Sequence, residues 1–423
     1  MAEAVTKVPL LEGKREWMVF LLVAASIFFL RLAWEYRVYC DFVDRPFSYT
    51  WGDVLEAKSK ESEKRRLTIL KVRTDGGLVF WTRTFRQGSW SGVRVRLQLF
   101  PSRSIAFTDY LKGPFVPSRI KRVVPPRATL HSRLGRWIAS EHVYPETAAF
   151  YRGIFLGDSL PRELRRKIAA LGVSHLVALS GFHLGILWGG IFLLLQPLYR
   201  WAQRRRFPWR YDRLDLGTIS LVLLAGYLWL TGMPPSLLRS YVMLLFGWAA
   251  LLLGIEIVRF SFLILVGAVL LALFPSLIFS WGFWLSMSGV FAIYLLVKYW
   301  RGTEMLRIKL FLLPVGIYWL MAPVTHSIFE VVSPWQNLSP ILSVLFVVFY
   351  PAAILLHLVG WGNLLDPLLL RLWELPHGSV VSKSLPTDFF VSYILLGVAA
   401  ARWRWAFYLL VGWAGASIVW IYL

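Results

Sequence analysis

The sequence predicts a polytopic α-helical membrane protein with a small extracytoplasmic β-barrel, OB-like, inserted after the first transmembrane helix. Three observations carry that expectation. Hydrophobic residues make up 57% of the 423 positions and charged residues only 17%, whereas water-soluble domains run near a quarter charged. The apolar residues gather in runs of about 20, the length that crosses a bilayer. After the first run, a stretch of about 80 residues replaces long apolar runs with short alternating ones.

Composition also removes several chemistries. The single cysteine, Cys40, excludes an intrachain disulfide, a thiolate zinc knuckle and CxxC redox chemistry. The net charge of +22, from 46 Lys and Arg against 24 Asp and Glu, implies an acidic partner or an anionic lipid surface.

Residues 1–43 read as a cytoplasmic N-terminus and membrane anchor. The run from Trp17 to Trp34 follows Lys7, Lys14 and Arg15, and Arg31 to Cys40 is bulky and charged. No small-residue cleavage site follows the run, so it is expected to remain as an uncleaved anchor with its N-terminus inside.

Residues 44–127 form the β-domain. Val93, Val95, Leu97 and Leu99 alternate with Arg94, Arg96 and Gln98, the period of a strand with one buried face. Leu67 to Arg73 and Leu78 to Phe85 are strand-like and joined by Asp75-Gly76-Gly77, a hairpin turn. Several short strands in so few residues suit a small barrel. From Asp44 to Arg136 about 20 Lys and Arg face about 7 Asp and Glu, over half of the chain's surplus.

Residues 128–170 read as an amphipathic helical connector. Pro161 with Glu163 just inside gives a helix start. Residues 171–423 read as a multi-span domain. Its first run, about 171–199, ends in six arginines between Arg200 and Arg213, a cytoplasmic loop under the positive-inside rule that leaves the β-domain outside. Further spans are expected near 214–232, 237–257, 260–275, 279–297, 309–326, 388–400 and 406–422, with Arg259, Lys298, Arg301, Arg402 and Arg404 inside. Residues 338–358, interrupted by Pro340 and Pro351, fit a broken or re-entrant helix as well as a plain span. Asn363 to Glu374 alternates like an interfacial helix.

One segment of the membrane domain is dense in polar and small residues: Ser174, His175, Ser180, Gly181, His183 and Gly185. An ionisable residue within a membrane is costly and is a functional hypothesis by default. Close helix packing at Ser and Gly with hydrogen-bonded histidines is one reading. A pathway-lining segment with a break at Ser180-Gly181 is a second. A third is catalysis, with Ser180 as nucleophile and His183 as base. Zinc at His175 and His183 lacks further ligands, and neither HExxH nor HxHxDH occurs among the seven histidines. No metal or other cofactor is expected.

Gly172, Ser174, His175, Leu176, Ala178, Ser180, Gly181, His183 and Gly185 together resemble the signature of the ComEC family of competence proteins. Leu156-Gly157-Asp158 is similar to an upstream motif of that family. Pro235 to Ser240 is similar to another, with Ser240 for the usual Ala, as is Trp281 to Ser286, with Trp284 for Gln. Pro334 to Leu338 keeps Asn337. The resemblance covers about 130–400 and implies an inner-membrane, multi-pass channel that passes single-stranded DNA into the cytoplasm in natural transformation. It further implies membrane lipid, a periplasmic DNA receptor, and a cytoplasmic motor or single-strand-binding protein as partners, with a homo-oligomer as one form of the pore. Many members carry a C-terminal metallo-β-lactamase-like domain. This sequence ends at Leu423 after its last span and resembles the shortened members, so no enzyme activity is expected of it.

On this reading Arg65, Arg66, Lys71, Arg73, Arg83, Arg86, Arg94 and Arg96 follow phosphates, while Trp81, Phe85 and Trp90 stack on bases. A solvated basic face and core aromatics are the plain alternative. A charged strand crosses hydrocarbon only along a wet, protein-lined path. The polar groups available to line it are His175, Ser180, His183, Arg239, Ser286, Ser288, His326 and Asn337, with Gly181 at the break. Arg239, after Pro234-Pro235, suits phosphates near the outer mouth or snorkels at the interface. A transporter of another acidic polymer or small molecule, and an intramembrane hydrolase using Ser180 and His183, remain the rival functions.

Overall fold

A computed structural model describes residues 13–422 apart from 63–64, 87, 89, 91, 126–128, 255–258, 301–305 and 377–379. For 59–62, 65–66, 235 and 306–311 it describes the backbone only. The chain divides into two compact units. One comprises Gly13–Leu134 and Ala268–Trp281, the other Gly135–Gly267 and residues from Gly282 onward.

The first unit opens with α1 (Lys14–Val43), 30 residues long and apolar enough to span a membrane. Its C-terminal half is tied to the β-domain by aromatic contacts. Tyr36 and Tyr39 pack on Phe107 of α2 (Phe107–Lys112), and the Tyr39 hydroxyl donates to the Ile105 carbonyl at 2.7 Å. The sheet comprises β1 (Ser48–Ser62), β2 (Arg65–Thr74), β3 (Val79–Thr84), β4 (Arg94–Leu99) and β5 (Ser118–Val124), in the order β3-β2-β1-β4-β5, all antiparallel. β1 is the shared strand. It pairs with β2 from Gly52 to Ser62 and with β4 from Ser48 to Asp53.

The expected turn at Asp75-Gly76-Gly77 joins β2 to β3, and the expected alternation in β4 buries Val95, Leu97 and Leu99. These pack with Val54, Leu70, Val72, Phe80, Trp90 and Val116 in the domain core. The expected closed OB-like barrel is not what forms. The five-stranded ladder is open, and its β3 edge meets the β5 side through Trp81, whose N–H donates to the Pro114 carbonyl and whose carbonyl accepts from Val116, both at 2.8 Å, and through the Thr82 and Ser118 hydroxyls, 2.8 Å apart.

In the second unit the expected connector is three helices: α3 (Leu130–Ser140, which begins in the first unit), α4 (Pro145–Leu156) and α5 (Arg162–Ala170). α5 starts one residue after Pro161, with Glu163 in its first turn. The expected span from 171 is shorter and preceded by a break. The four-residue α6 (Ser174–Val177) ends at extended Ala178, and α7 (Gly181–Arg206) starts afresh. There follow α8 (Asp212–Leu230), α9 (Pro235–Leu252), α10 (Phe260–Leu273), α11 (Trp281–Tyr299), α12 (Leu306–Ile328), α13 (Ser339–Leu358), α14 (Asp366–Glu374), α15 (Thr387–Ala400) and α16 (Arg404–Tyr422). Among the described residues six helical segments are long and apolar enough to cross a membrane, and four apolar helices are shorter.

Several apolar clusters hold this unit, two of them large. Leu179, Leu184, Leu224, Leu228 and Leu237 join the start of α7 to α8 and α9. Ala292, Leu295, Leu296, Leu320, Tyr393, Phe407 and Leu410 join α11, α12, α15 and α16. Lys298 Nζ donates to the Ala401 carbonyl at 2.6 Å and Tyr299 to Ala400 at 2.7 Å. Two ends that the positive-inside reading puts on one side therefore meet.

Residues 338–358 are a continuous helix despite Pro351, yet the segment returns to where it left. The two-residue strands β6 (Val331–Val332) and β7 (Val381–Ser382) pair with each other. α13 and α14 are thus an out-and-back excursion, with its turning point near His357 to Asp366. The expected amphipathic helix lies on the return leg as α14.

Candidate functional site

The polar segment singled out in the sequence is a chain reversal built by backbone capping. α4 ends at Gly157 in the left-handed region (φ +78°), and a Cβ there would lie 2.9 Å from Leu179 Cδ1. Glycine alone meets both conditions. Asp158 follows and pairs with Arg152 of α4 at 2.5 Å, so Leu156-Gly157-Asp158 is a helix stop with its own ion pair. α5 ends likewise at Gly172 (φ +70°). Its carbonyl accepts from Ser339 Oγ at 2.9 Å, and a Cβ would sit 3.2 Å from both Gln336 and Ser339 side chains. Gln336 donates to the Ala169 and Val331 carbonyls at 3.1 and 3.0 Å. The first turn of α13 and the 3-10 turn before it thus clamp the end of α5.

α7 begins with a reciprocal cap. Ser180 Oγ accepts from the Phe182 N–H at 3.3 Å, and the Ser180 N–H donates to His183 Nδ1 at 3.3 Å. This is a capping box with histidine in the place usually held by Glu or Gln. Because Nδ1 accepts, neutral His183 carries its proton on Nε2. That atom is buried, and the His183 ring packs edge-on against those of Phe346 and Tyr350, at centroid distances of 5.2 and 4.9 Å. Ser343 donates to the Ser339 carbonyl, so its oxygen accepts from His175 Nε2 at 3.2 Å. One face of α13 therefore receives Gly172, His175 and His183 in succession.

Exposure divides the residues expected to line a path. His183, Arg239 and His326 are buried, and Ser180, Ser286 and Ser288 are half-buried. His175 and Asn337 are exposed. His183 is enclosed by packing, its ring engaged in the cap and against two aromatic neighbours. Arg239 sits one turn into α9, and its neighbour Ser240 lies against Gly181, 3.4 Å from the position a Cβ would take. Asn337 Oδ1 accepts from the Tyr318 hydroxyl at 2.9 Å. The turn thus gathers His175, Ser180, Gly181, His183 and the flank of Asn337, while Ser286 lies on α11.

On the β-domain, Trp81 carries two cations. Lys58 Nζ stands 4.7 Å and Lys71 Nζ 5.3 Å from its ring centroid. Lys71 is directly opposite Trp81 in the β2–β3 ladder. Arg83, Phe85, Arg86 and Arg96 are exposed, and Arg73 is half-buried. Two of the residues expected to contact DNA are engaged within the domain. Trp90 is a core residue whose indole N–H donates to the Arg86 carbonyl at 3.3 Å. Arg94 is 6% exposed and ion-paired with Asp75 at 2.5 Å and Asp53 at 3.3 Å. The Asp75 hydrogen bond, aided by Asp53, raises its pKa against the opposing effect of burial. The side chains of Arg65 and Arg66 lie outside the described residues.

Sequence reasoning missed Lys58, Gln336 and Ser339. It also missed a buried group formed by His142, His357 and Asp366. Lys58 becomes visible only once β1 is seen to pair with β2, because β1 turns polar after Val54. The other residues lie far apart in sequence from the groups they bond, so no local spacing announces them.

The fold and this turn define a polytopic membrane protein whose helical unit is keyed by glycine-stopped, serine-capped reversals. The chain belongs to the Competence protein family, whose model matches residues 154–422. It is 29% identical over 343 residues to the uncharacterized protein YcaI of Escherichia coli (strain K12), over 74% of this chain and 43% of that one. An uncharacterized protein of Aquifex aeolicus (strain VF5) is 28% identical over 217 residues, 50% of this chain and 47% of its own. ComE operon protein 3 of Bacillus subtilis (strain 168) is 29% identical over 153 residues, 36% of this chain and 18% of its own. The chain thus spans less than half the length of these relatives. No solved structure matches it.

Proposed function

We propose that this chain is the inner-membrane channel through which single-stranded DNA enters the cytoplasm in natural transformation. The observation that carries the proposal is the family match, which runs through almost the whole helical unit, residues 154–422. The similarity to ComE operon protein 3 supports the same reading. In this reading the open β-sheet domain is a platform in the periplasm. Trp81 offers a stacking surface between Lys58 and Lys71, and the exposed arginines of β3 and β4 follow the phosphates. A periplasmic receptor delivers the strand, and a cytoplasmic motor or single-strand-binding protein draws it in. The chain itself acts without a catalytic step, alone or as a homo-oligomer, with lipid around the helical unit.

The test uses the full chain in lipid nanodiscs. Fluorescent single-stranded DNA is expected to bind with an affinity that falls steeply with salt, the mark of phosphate contacts. Absence of any salt-sensitive binding contradicts the proposal. One observation favours a second reading, the 3.3 Å approach of Ser180 Oγ to His183 Nδ1, which an intramembrane hydrolase would need. Ser180→Ala separates the two, since in a normally folded variant a channel should tolerate the change better than a hydrolase, whose nucleophile it removes.

A further inference from the structure

At the turning point of the α13–α14 excursion three ionisable side chains form a closed chain of contacts away from water. His357 Nδ1 is 2.7 Å from the Ala353 carbonyl. His357 Nε2 is 3.1 Å from His142 Nε2. His142 Nδ1 is 3.0 Å from both oxygens of Asp366. The His142 side chain is 0% and the Asp366 side chain 5% exposed, and His357 is 2% exposed. Tyr151 of α4 stacks on His142 at 4.6 Å. Thr147 Oγ1 lies 2.9 Å from Asp366 Oδ2 and 3.0 Å from the Tyr144 carbonyl. Glu141, just after α3, accepts from the Gly362 N–H at 2.9 Å.

The protons in this chain can be counted. A carbonyl only accepts, so His357 Nδ1 must carry hydrogen. His357 Nε2 is then bare in the neutral ring, and the short contact to His142 needs a hydrogen on His142 Nε2. The third contact needs a hydrogen between His142 Nδ1 and the Asp366 carboxyl group. Three protons are required, whereas two neutral imidazoles and a carboxylate hold two. With only two, one contact sets lone pair against lone pair in a dry site, and the group carries a net negative charge. With three it is neutral, as imidazolium and carboxylate or as imidazole and carboxylic acid. Buried polar groups are stable when every bond is satisfied and the charge is balanced.

We infer that His142, His357 and Asp366 form a binding site for one proton, which fastens the tip of the α13–α14 excursion to α3 and α4. Loss of that proton breaks the contact of His142 with either His357 or Asp366, and so loosens one leg of the excursion. The same helix carries Ser339, Ser343, Phe346 and Tyr350, which hold Gly172, His175 and His183 at its other end. Proton occupancy therefore bears on the seating of the helix that clamps the signature turn. This inference does not depend on what the protein transports.

The sign of the pH dependence follows from the count. Above about pH 6.5 the unfolded chain has neutral imidazoles and an ionised carboxylate, one proton fewer than the folded site. Stability then falls as pH rises, until the folded site gives up its proton. The folding constant drops tenfold per pH unit in that window. Below about pH 6 the unfolded imidazoles each take a proton, one more than the folded site holds, and the sign reverses.

The experiment compares thermal unfolding of the full chain in nanodiscs at pH 7 to 9 with that of Asp366→Asn. The Asn amide can donate to His142 Nδ1 and keep all three contacts without the bound proton. Asp366→Asn is expected to fold and to lack the tenfold-per-unit loss seen in the unmodified chain. Parallel pH profiles for the two overturn the inference. Should Asp366→Asn not fold, the unmodified chain is read directly at pH 8 by nitrogen NMR of its histidines and by carboxyl infrared absorption. A doubly protonated His142 or a protonated Asp366 is expected. Two neutral imidazoles with an ionised Asp366 overturn the inference.

Discussion

Ser180 and His183 cap each other: the serine N–H donates to the histidine Nδ1 at 3.3 Å, and the ring is fully buried against Phe346 and Tyr350. The most chemically suggestive pair in the sequence is thus engaged in starting a helix. Ser180→Ala is expected to cost about 1 kcal/mol, the usual value of a lost N-cap. His183→Gln, which can still return a bond to the Ser180 N–H, is expected to be better tolerated than His183→Leu. Denaturant unfolding of the variants in detergent checks the order. Equal losses for Gln and Leu would remove the cap from the explanation.

The glycines of the signature are not equivalent. Gly172 combines φ +70° with two side chains at 3.2 Å from a prospective Cβ, whereas a Cβ at Gly185 meets nothing within 4 Å. Gly172→Ala is expected to destabilise by about 1–3 kcal/mol through backbone strain alone. Gly185→Ala is expected to be neutral or to stabilise by up to about 1 kcal/mol, as glycine is a poor helix former. If Gly185 faces the DNA path, Gly185→Trp should leave unfolding unchanged while reducing entry of DNA. The paired measurement separates a packing role from a lining one.

On the β-domain the aromatic residues divide by burial. Trp81→Ala is expected to weaken single-stranded DNA binding by about 1–3 kcal/mol, the usual loss of a stacking platform. Lys58→Ala and Lys71→Ala should each lower the slope of log affinity against log salt by about 0.7. Trp90→Ala should instead cost stability, about 3–5 kcal/mol for a large core side chain. Titrations at several salt concentrations, each beside an unfolding curve, check the division.

Arg94 belongs with the structural residues. Its removal abandons two hydrogen-bonded carboxylates, Asp53 and Asp75, which are half exposed and rehydrate readily. Arg94→Met is therefore expected to destabilise by roughly 1–3 kcal/mol, with an unchanged salt slope of DNA binding. A reduced slope would return Arg94 to the phosphate contacts.

Much of this architecture is legible in the sequence where burial is written locally. The alternation of Val95, Leu97 and Leu99, the turn at Asp75-Gly76-Gly77 and the helix start at Pro161 all appear where expected. β1 was not legible, because only its first half buries a face while the polar second half is held by ladder bonds to β2. The break before Gly181 was legible as a dense patch of Ser and Gly, but its purpose was not. The partners that explain it, Ser339, Ser343, Phe346 and Tyr350, lie more than 150 residues away. The His142–His357–Asp366 site is invisible for the same reason, with sequence separations of 215 and 224. The excursion of α13 and α14 depends on the two-residue pairing of β6 with β7, which no periodicity encodes.

The central claim is that this chain carries DNA across the inner membrane. The most direct measurement deletes it in its host and follows labelled transforming DNA, scoring capture outside the inner membrane separately from arrival in the cytoplasm. The account predicts that capture persists while arrival is lost, and that the intact chain restores arrival. Normal arrival of DNA in the deletion strain would contradict it.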